Sequence, residues 1–94
     1  MDWDTVSFVT GSQIRFKILI ELNKKKATPS ELAKLLKYPI SHISTTLSEL
    51  EEKELVICLT KERRKNKYFD ISKKGRELLK FINKETRTDF TSEK

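Results

Sequence analysis

The chain has 94 residues, a single cysteine, a formal net charge of +6, and 36% each of charged and hydrophobic residues. This length suits one small domain, and no apolar run approaches the roughly 20 residues that a membrane span needs. A lone cysteine excludes an internal disulfide and fits a reducing cytoplasm. We expect no secretion signal, because the chain begins with neither a basic segment nor an unbroken apolar run.

The positive charge is concentrated in a few segments. Residues 61–67 contain five cations and one carboxylate, residues 24–39 and 73–84 each carry a net charge of +4, and residues 40–54 carry −3. This distribution is typical of a protein that presents selected edges to a polyanion, and it differs from that of a uniform polycation. It favours nucleic acid as the partner.

The chain begins with two apolar segments that Gly11 separates. The apolar residues of the first are Trp3, Val6, Phe8 and Val9. Ser12 is a suitable N-cap for a helix over 13–23, in which the apolar residues follow helical spacing. Three lysines follow this helix, where cations suit the negative end of its dipole.

The strongest local signal is the tetrapeptide at 28–31. Thr28 and Glu31 match a capping box, and Pro29 falls at the first helical position, where its missing N–H costs nothing. The pattern predicts a helix over 29–37. Its apolar residues, expected to be buried, are Leu32, Ala33, Leu35 and Leu36. Pro39 ends this helix and can begin the next.

The helix predicted over 39–53 has two different faces. The apolar stripe consists of Ile40, Ile43, Leu47 and Leu50. The opposite face consists of the small hydroxyl residues Ser41, Thr45 and Ser48, with Ser44 at its edge. Small hydrogen-bonding side chains let a helix lie deep in a groove of nucleic acid without steric clash. A solvated face is the alternative interpretation, although such faces usually carry lysine and glutamate.

The remaining segments predict a hairpin and a last helix. Segments 55–60 and 69–71 have the composition of strands, and the basic loop 61–67 joins them. Asn66 is the loop residue best suited to a positive φ. Ser72 can cap a helix over 73–84, and residues 85–94 form a polar tail. The apolar residues of this helix are Leu78, Leu79, Phe81 and Ile82.

Five fragments in this order carry a resemblance to a known family. They are Ser12-x-x-Arg15-x-x-Ile18-Leu19-x-x-Leu22, Thr28-Pro29-x-Glu31-Leu32-Ala33, Ile40-Ser41-His42-Ile43-Ser44, Leu47-x-Glu49-Leu50-Glu51-Glu52-Lys53-x-Leu55-Val56 and Phe69-x-Ile71-Ser72-x-x-Gly75. The chain resembles winged helix-turn-helix transcription regulators of the MarR/ArsR-like group, especially the small archaeal members. Such proteins usually have glycine where this chain has Glu54. We therefore expect the helix predicted over 39–53 to end differently from theirs.

The resemblance implies an α+β fold, mostly α, with a three-helix core, a β-hairpin wing and terminal helices for dimerisation. Residues 1–84 would form this winged-helix DNA-binding domain. The implied function is sequence-specific binding of double-stranded DNA by a homodimeric transcriptional regulator. The alternative is a non-catalytic assembly or architectural module of transcription or chromatin, without an operator of its own.

Two groups of side chains are the candidate DNA contacts. The helical group is Ser30, Ser41, His42, Ser44, Thr45 and Ser48, and the wing group is Arg63, Arg64, Lys65 and Lys67. The major groove admits a helix, and wing cations meet phosphates or the minor groove. A solubilising loop is the alternative for the wing. The helix face lacks arginine, asparagine and glutamine, so direct base reading is modest, water-mediated or helped by DNA shape.

The terminal segments hold more apolar area than three short helices and a hairpin need. We expect a homodimer built from them. The expected interface residues are Trp3, Val6, Phe8, Leu78, Phe81 and Ile82. A dimer sets two recognition helices about one DNA turn, roughly 34 Å, apart. The alternative is that both ends fold back on the core of their own chain.

Neither catalysis nor a metal or cofactor is expected. The chain has one histidine, one cysteine and two glycines, so it offers no nucleophile–base pair and no glycine-rich phosphate loop. His42 and Cys58 alone do not form a zinc site. Cys58 is expected to be a small buried hydrophobe, with a redox switch as the alternative. The sequence assigns no ligand pocket and no small-molecule effector.

Overall fold

The computed structural model describes residues 3–60 and 67–85, the last two as backbone only. Its elements are α1 (Trp3–Thr10), α2 (Gln13–Lys24), α3 (Pro29–Leu36), α4 (Ile40–Glu52), β1 (Val56–Cys58), β2 (Phe69–Ile71) and α5 (Lys73–Glu85). The predicted order of helices and strands is confirmed. The expected positive φ at Asn66 falls outside the described residues. None of the described helices has the length and apolar character needed to cross a membrane.

The predicted N-caps are confirmed. The Ser12 hydroxyl accepts a hydrogen bond from the backbone N–H of Arg15 at 3.4 Å, and the Ser72 hydroxyl accepts one from the N–H of Gly75 at 3.0 Å. α3 begins with a complete capping box. The Thr28 hydroxyl accepts from the Glu31 N–H at 3.2 Å, and the Glu31 carboxylate accepts from the Thr28 N–H at 3.0 Å. These bonds satisfy N–H groups that the first helical turn leaves unpaired.

One cluster of buried apolar side chains lies between the helices and the hairpin. Its fully buried members include Ile18, Leu19, Leu22, Leu32, Ile43, Leu47, Leu50, Leu55, Ile71 and Leu78. Leu35 and Ile40 were predicted to be buried, but they are 59% and 49% exposed. Ile40 is the first residue of α4. Leu35 lies in the last turn of α3, where the next residue, Leu36, packs against the core instead. Thr46 is buried instead, and its hydroxyl donates to the His42 carbonyl at 2.8 Å.

The two strands form an antiparallel hairpin whose register runs from Val56 opposite Ile71 to Cys58 opposite Phe69. β1 is shorter than the strand predicted over 55–60, and Cys58 is only partly buried. The other edge of β2 pairs with Ala27. The two backbones exchange hydrogen bonds of 3.0 and 2.8 Å between Ala27 and Phe69. The base of the hairpin is therefore fixed beside the beginning of α3.

We expected α4 to end without the usual left-handed turn because Glu54 stands in place of glycine, and this expectation was wrong. Glu54 adopts the left-handed conformation with φ 64°, which glycine usually supplies at this position. Its N–H donates to the carbonyl of Glu51 at 2.8 Å, and the Leu55 N–H donates to the carbonyl of Leu50 at 2.9 Å. This pair of bonds is a Schellman motif. The backbone requirement of the turn has overridden the residue preference.

Candidate nucleic-acid interface

α4 presents a row of small polar side chains to solvent. Ser41, Ser44, Thr45 and Ser48 are all exposed, as is His42. The opposite side of the helix is occupied by Ile43, Thr46, Leu47 and Leu50, which are buried. The predicted hydroxyl face therefore lies on the surface of the chain, where a partner can reach it.

A shallow cavity of about 270 Å³ lies between α4, the beginning of α3 and the residues that enter β2. We call it the α4 groove. Its lining residues are Thr28, Pro29 and Ser30 from the start of α3, Ile40, Ser44, Leu47 and Ser48 from α4, and Lys67 and Phe69 from the hairpin.

Local hydrogen bonds explain why these three parts of the chain meet. The capping box holds the first turn of α3, so that Ser30 occupies the second position of the helix. The backbone pairing of Ala27 with Phe69 places β2 beside that turn. Lys67 comes two residues before Phe69 and is therefore brought to the same space as Ser30.

The charges around the groove suit an anionic partner. Of the nine described residues that line it, Lys67 is charged and none is a carboxylate. The carboxylates of α4 lie in its last turns. Glu49 is paired with Arg15, with 3.1 Å between Oε1 and Nη2, while Glu52 is exposed at the end of the helix. The first half of α4 is thus the part that a polyanion can approach without repulsion.

The structure brings together some of the predicted contact residues and separates others. Those that line the α4 groove are Ser30, Ser44, Ser48 and Lys67. Ser41 and Thr45 are exposed on α4 but do not line it. His42 lies toward the other margin of the helix, where its ring meets Tyr38 edge-on with 5.7 Å between centroids. Arg63, Arg64 and Lys65 fall outside the described residues.

Ile40 is the groove residue that the sequence analysis assigned wrongly. Its spacing from Ile43 and Leu47 placed it on the apolar stripe. It is instead a half-exposed side chain at the first position of α4, immediately after Pro39. That position was the available signal, because the first turn of a helix often projects beyond its packed surface.

The residues expected at a dimer interface differ widely in exposure. Val6, Leu78 and Ile82 are 6%, 0% and 7% exposed, so they lie in the core of their own chain and retain little surface for a second copy. Trp3 is 67% exposed. The aromatic rings of Phe8 and Phe81 are partly buried against the core.

A second cavity, of about 360 Å³, lies between α2 and α5. Its apolar lining consists of Phe16, Ile20, Leu79 and Ile82. Within residues 3–60 and 67–85, no group of three histidine, cysteine, aspartate or glutamate side chains is placed to hold a metal ion.

A family model described as the N-terminal domain of the methanogenesis regulatory protein FilR1 matches residues 3–83. This region runs from the first residue of α1 nearly to the end of α5. The chain belongs to this family. The family match therefore includes all three walls of the α4 groove. No curated protein shows significant sequence similarity to the chain.

Two solved structures have a similar fold. HlyU from Vibrio cholerae N16961 matches with a TM-score of 0.70 and 18% identity, over 86% of this chain and 88% of that one. The adhesin competence repressor AdcR from Streptococcus pyogenes matches with a TM-score of 0.67 and 15% identity, over 86% of this chain and 63% of that one. Together with the helices and hairpin described above, these matches identify the α+β fold as a winged helix-turn-helix.

Proposed function

We propose that this chain is a transcriptional regulator that binds specific sites in double-stranded DNA as a homodimer. The observation that carries the proposal is the α4 groove. In it, hydroxyl residues of the second helix of a helix-turn-helix, the first turn of α3 and a cation at the base of the wing line one space. The family, whose description names a regulatory protein, supports the same interpretation.

In this proposal α4 enters the major groove with its first turns toward the bases. Ser30, in the first turn of α3, and Lys67 contact phosphates beside α4. The other four cations of the basic loop 61–67 neutralise further phosphates, and the loop supplies much of the affinity. Regulation follows from occupancy of a pseudo-palindromic site near a promoter.

The homodimer is supported by apolar surface that a single chain leaves uncovered. Trp3 is 67% exposed at the start of α1, and the cavity between α2 and α5 has a largely apolar lining. These two features lie on α1, α2 and α5 and not in the α4 groove. Dimerisation through them leaves both copies of α4 free and sets them about one DNA turn apart.

The finer parts of the proposal follow from the resemblance. In this proposal the chain is of the small MarR/ArsR-like type with archaeal relatives. The family description, a methanogenesis regulatory protein, supports its role as a regulator. Residues 1–84 act as the DNA-binding domain and residues 85–94 as a polar tail. The regulator works in the cytoplasm, without a cofactor and without catalysis.

Selection of bound fragments from random duplex DNA, followed by a footprint and by sedimentation of the free protein, tests the proposal. We expect a two-fold symmetric site with half-sites about 10 base pairs apart and a protein that sediments as a dimer. Binding to the selected site should be at least about 10³-fold tighter than to random DNA.

A matched pair of variants locates the interface. Ser48→Glu adds a negative charge inside the α4 groove. The variant should not bind DNA, because the added carboxylate is repelled by the phosphate and base oxygens proposed to lie there. Gln13→Glu adds the same charge at an exposed position of α2 and should bind as the wild type does. Equal affinity for selected and random duplexes would instead favour the architectural module, and tolerance of Ser48→Glu would show that another surface binds DNA.

A further inference from the structure

We propose that Ile40 recognises the 5-methyl group of thymine in the DNA major groove. The inference rests on the proposed function, and it names the base chemistry that α4 reads. Its starting point is a large apolar side chain that is not buried in the core. Ile40 is 49% exposed, whereas its neighbour on the apolar stripe, Ile43, is fully buried.

Ile40 lies within the α4 groove and not on an unrelated surface. It shares the lining with Ser44, one helical turn later, and with Ser48, one turn beyond that. Ser30 and Lys67, the residues proposed to contact phosphate, line the same cavity. A ligand that fills the groove therefore touches the isoleucine together with the polar residues.

Only one group in the major groove suits such a side chain. Each base edge there displays a hydrogen-bond donor, an acceptor or both, and thymine adds a 5-methyl group, the one methyl group among the four bases. An isoleucine placed on the guanine O6 or the cytosine amino group removes water from it and returns no hydrogen bond, which is unfavourable. Against a thymine methyl, the same side chain buries apolar surface on both partners.

The position of Ile40 on α4 brings it close to the bases. Recognition helices contact base edges with their N-terminal residues, and Ile40 is the first residue of α4. Ser41 and Ser44 beside it are short, so they do not hold the helix away from the groove floor. Glu52, exposed at the other end, is repelled by phosphate and favours an approach by the first turns.

A thymine-to-deoxyuridine scan tests the inference. The probe is the duplex recovered by selection from random DNA, with each thymine replaced in turn by deoxyuridine. The replacement removes the methyl and leaves the hydrogen-bonding edges unchanged. For the wild-type full chain we expect about fourfold weaker binding at one or two positions of each half-site, which is the effect of losing one buried methyl-sized group.

Three variants assign the effect to the side chain. Ile40→Ala should bind the thymine and deoxyuridine duplexes equally at those positions, and Ile40→Val should retain most of the discrimination. Leu35→Ala is the matched control, because Leu35 is an equally apolar, 59% exposed residue that does not line the groove. It should discriminate as the wild type does.

The outcomes separate this inference from the function on which it rests. Tight binding to the selected duplex with no position sensitive to deoxyuridine would overturn the reading of thymine and leave the regulator intact. An Ile40→Ala protein with the same sensitivity as the wild type would also overturn it, by assigning the methyl contact to another residue. Failure to bind any duplex would overturn both proposals.

Discussion

Glu54 occupies a backbone position that suits glycine better than any other residue. Its φ of 64° is required by the Schellman motif that ends α4 and directs the chain into β1. An L-residue in the left-handed region suffers a clash between its Cβ and the following carbonyl oxygen. The carboxylate is also placed unfavourably at the negative end of a helix dipole. The chain tolerates both effects at this residue.

Glu54→Gly should therefore raise the free energy of unfolding by about 1 kcal/mol, since it relieves the steric cost of the turn. Urea denaturation followed by circular dichroism measures the change. Glu54→Gln removes the charge and keeps the Cβ, so it should recover only a few tenths of a kcal/mol. Equal gains from both variants would assign the cost to charge and not to backbone conformation.

Gly75 lies inside helix α5, and the close packing there leaves no room for a side chain. A Cβ at this position would meet the carbonyl oxygen of Leu55 and, at 2.7 Å, the Cγ1 of Ile71. α5 therefore approaches the hairpin closely where it begins. The usual preference of helices for alanine over glycine does not apply to a position so crowded.

Gly75→Ala should lower the free energy of unfolding by about 1–3 kcal/mol, in the range of overpacked cores. Lys74→Ala, at an exposed position of the same turn, should change it by less than about 0.5 kcal/mol. Thermal and urea unfolding of the two variants give the comparison. A stabilised Gly75→Ala protein would show that α5 can move away from the hairpin without cost.

At the scale of elements, Arg15 connects three helices. From α2 its Nη1 donates to the Phe8 carbonyl of α1 at 2.8 Å, while Nε and Nη2 donate to Glu49 of α4 at 3.2 and 3.1 Å. The guanidinium carbon also lies 3.9 Å from the centroid of the Phe8 ring. Arg15 thus links α4 to α1 and α2.

Arg15→Ala should cost about 2 kcal/mol of stability, because charged hydrogen bonds to two helices and a cation–π contact are lost together. A double-mutant cycle with Glu49→Ala, measured by urea denaturation, should give a coupling of only about 0.5–1 kcal/mol, since the pair is partly exposed. The remainder of the Arg15 effect then belongs to Phe8. A coupling as large as the whole effect of Arg15→Ala would contradict this division.

At the scale of the whole molecule, the surfaces proposed for DNA and for dimerisation are made by different elements. The α4 groove is lined by residues of α3, α4 and the hairpin, whereas the exposed Trp3 and the second cavity belong to α1, α2 and α5. A dimer can therefore form without covering the DNA site. The cations of the basic loop are doubled in such a dimer, and its affinity for DNA depends on both copies.

The salt dependence of binding should report this doubling. If each copy neutralises about 4 phosphates, a dimer should show a slope of log K against log salt of roughly −7, and a bound monomer a slope near −3.6. Fluorescence anisotropy of a labelled selected duplex between about 50 and 200 mM salt covers the useful range. Affinity that does not change with salt would contradict the proposed role of the basic loop.

The sequence by itself determined the features that depend on neighbouring residues. The caps at Ser12, Thr28 and Ser72 were predictable because each uses a side chain and an N–H three residues apart. Helical periodicity likewise located the exposed hydroxyl face of α4. The winged helix was predicted by the resemblance of the ordered fragments to a known family of regulators.

Only the tertiary structure decided which of these features meet. Ser30, Ser44 and Lys67 line one groove because Ala27 pairs with Phe69, a contact between residues far apart in the chain. The same assembly leaves Ile40 half exposed, although its periodicity matches that of the core. Periodicity defines the direction in which a side chain points, but burial depends on whether another element is packed there, and that is set by contacts remote in sequence.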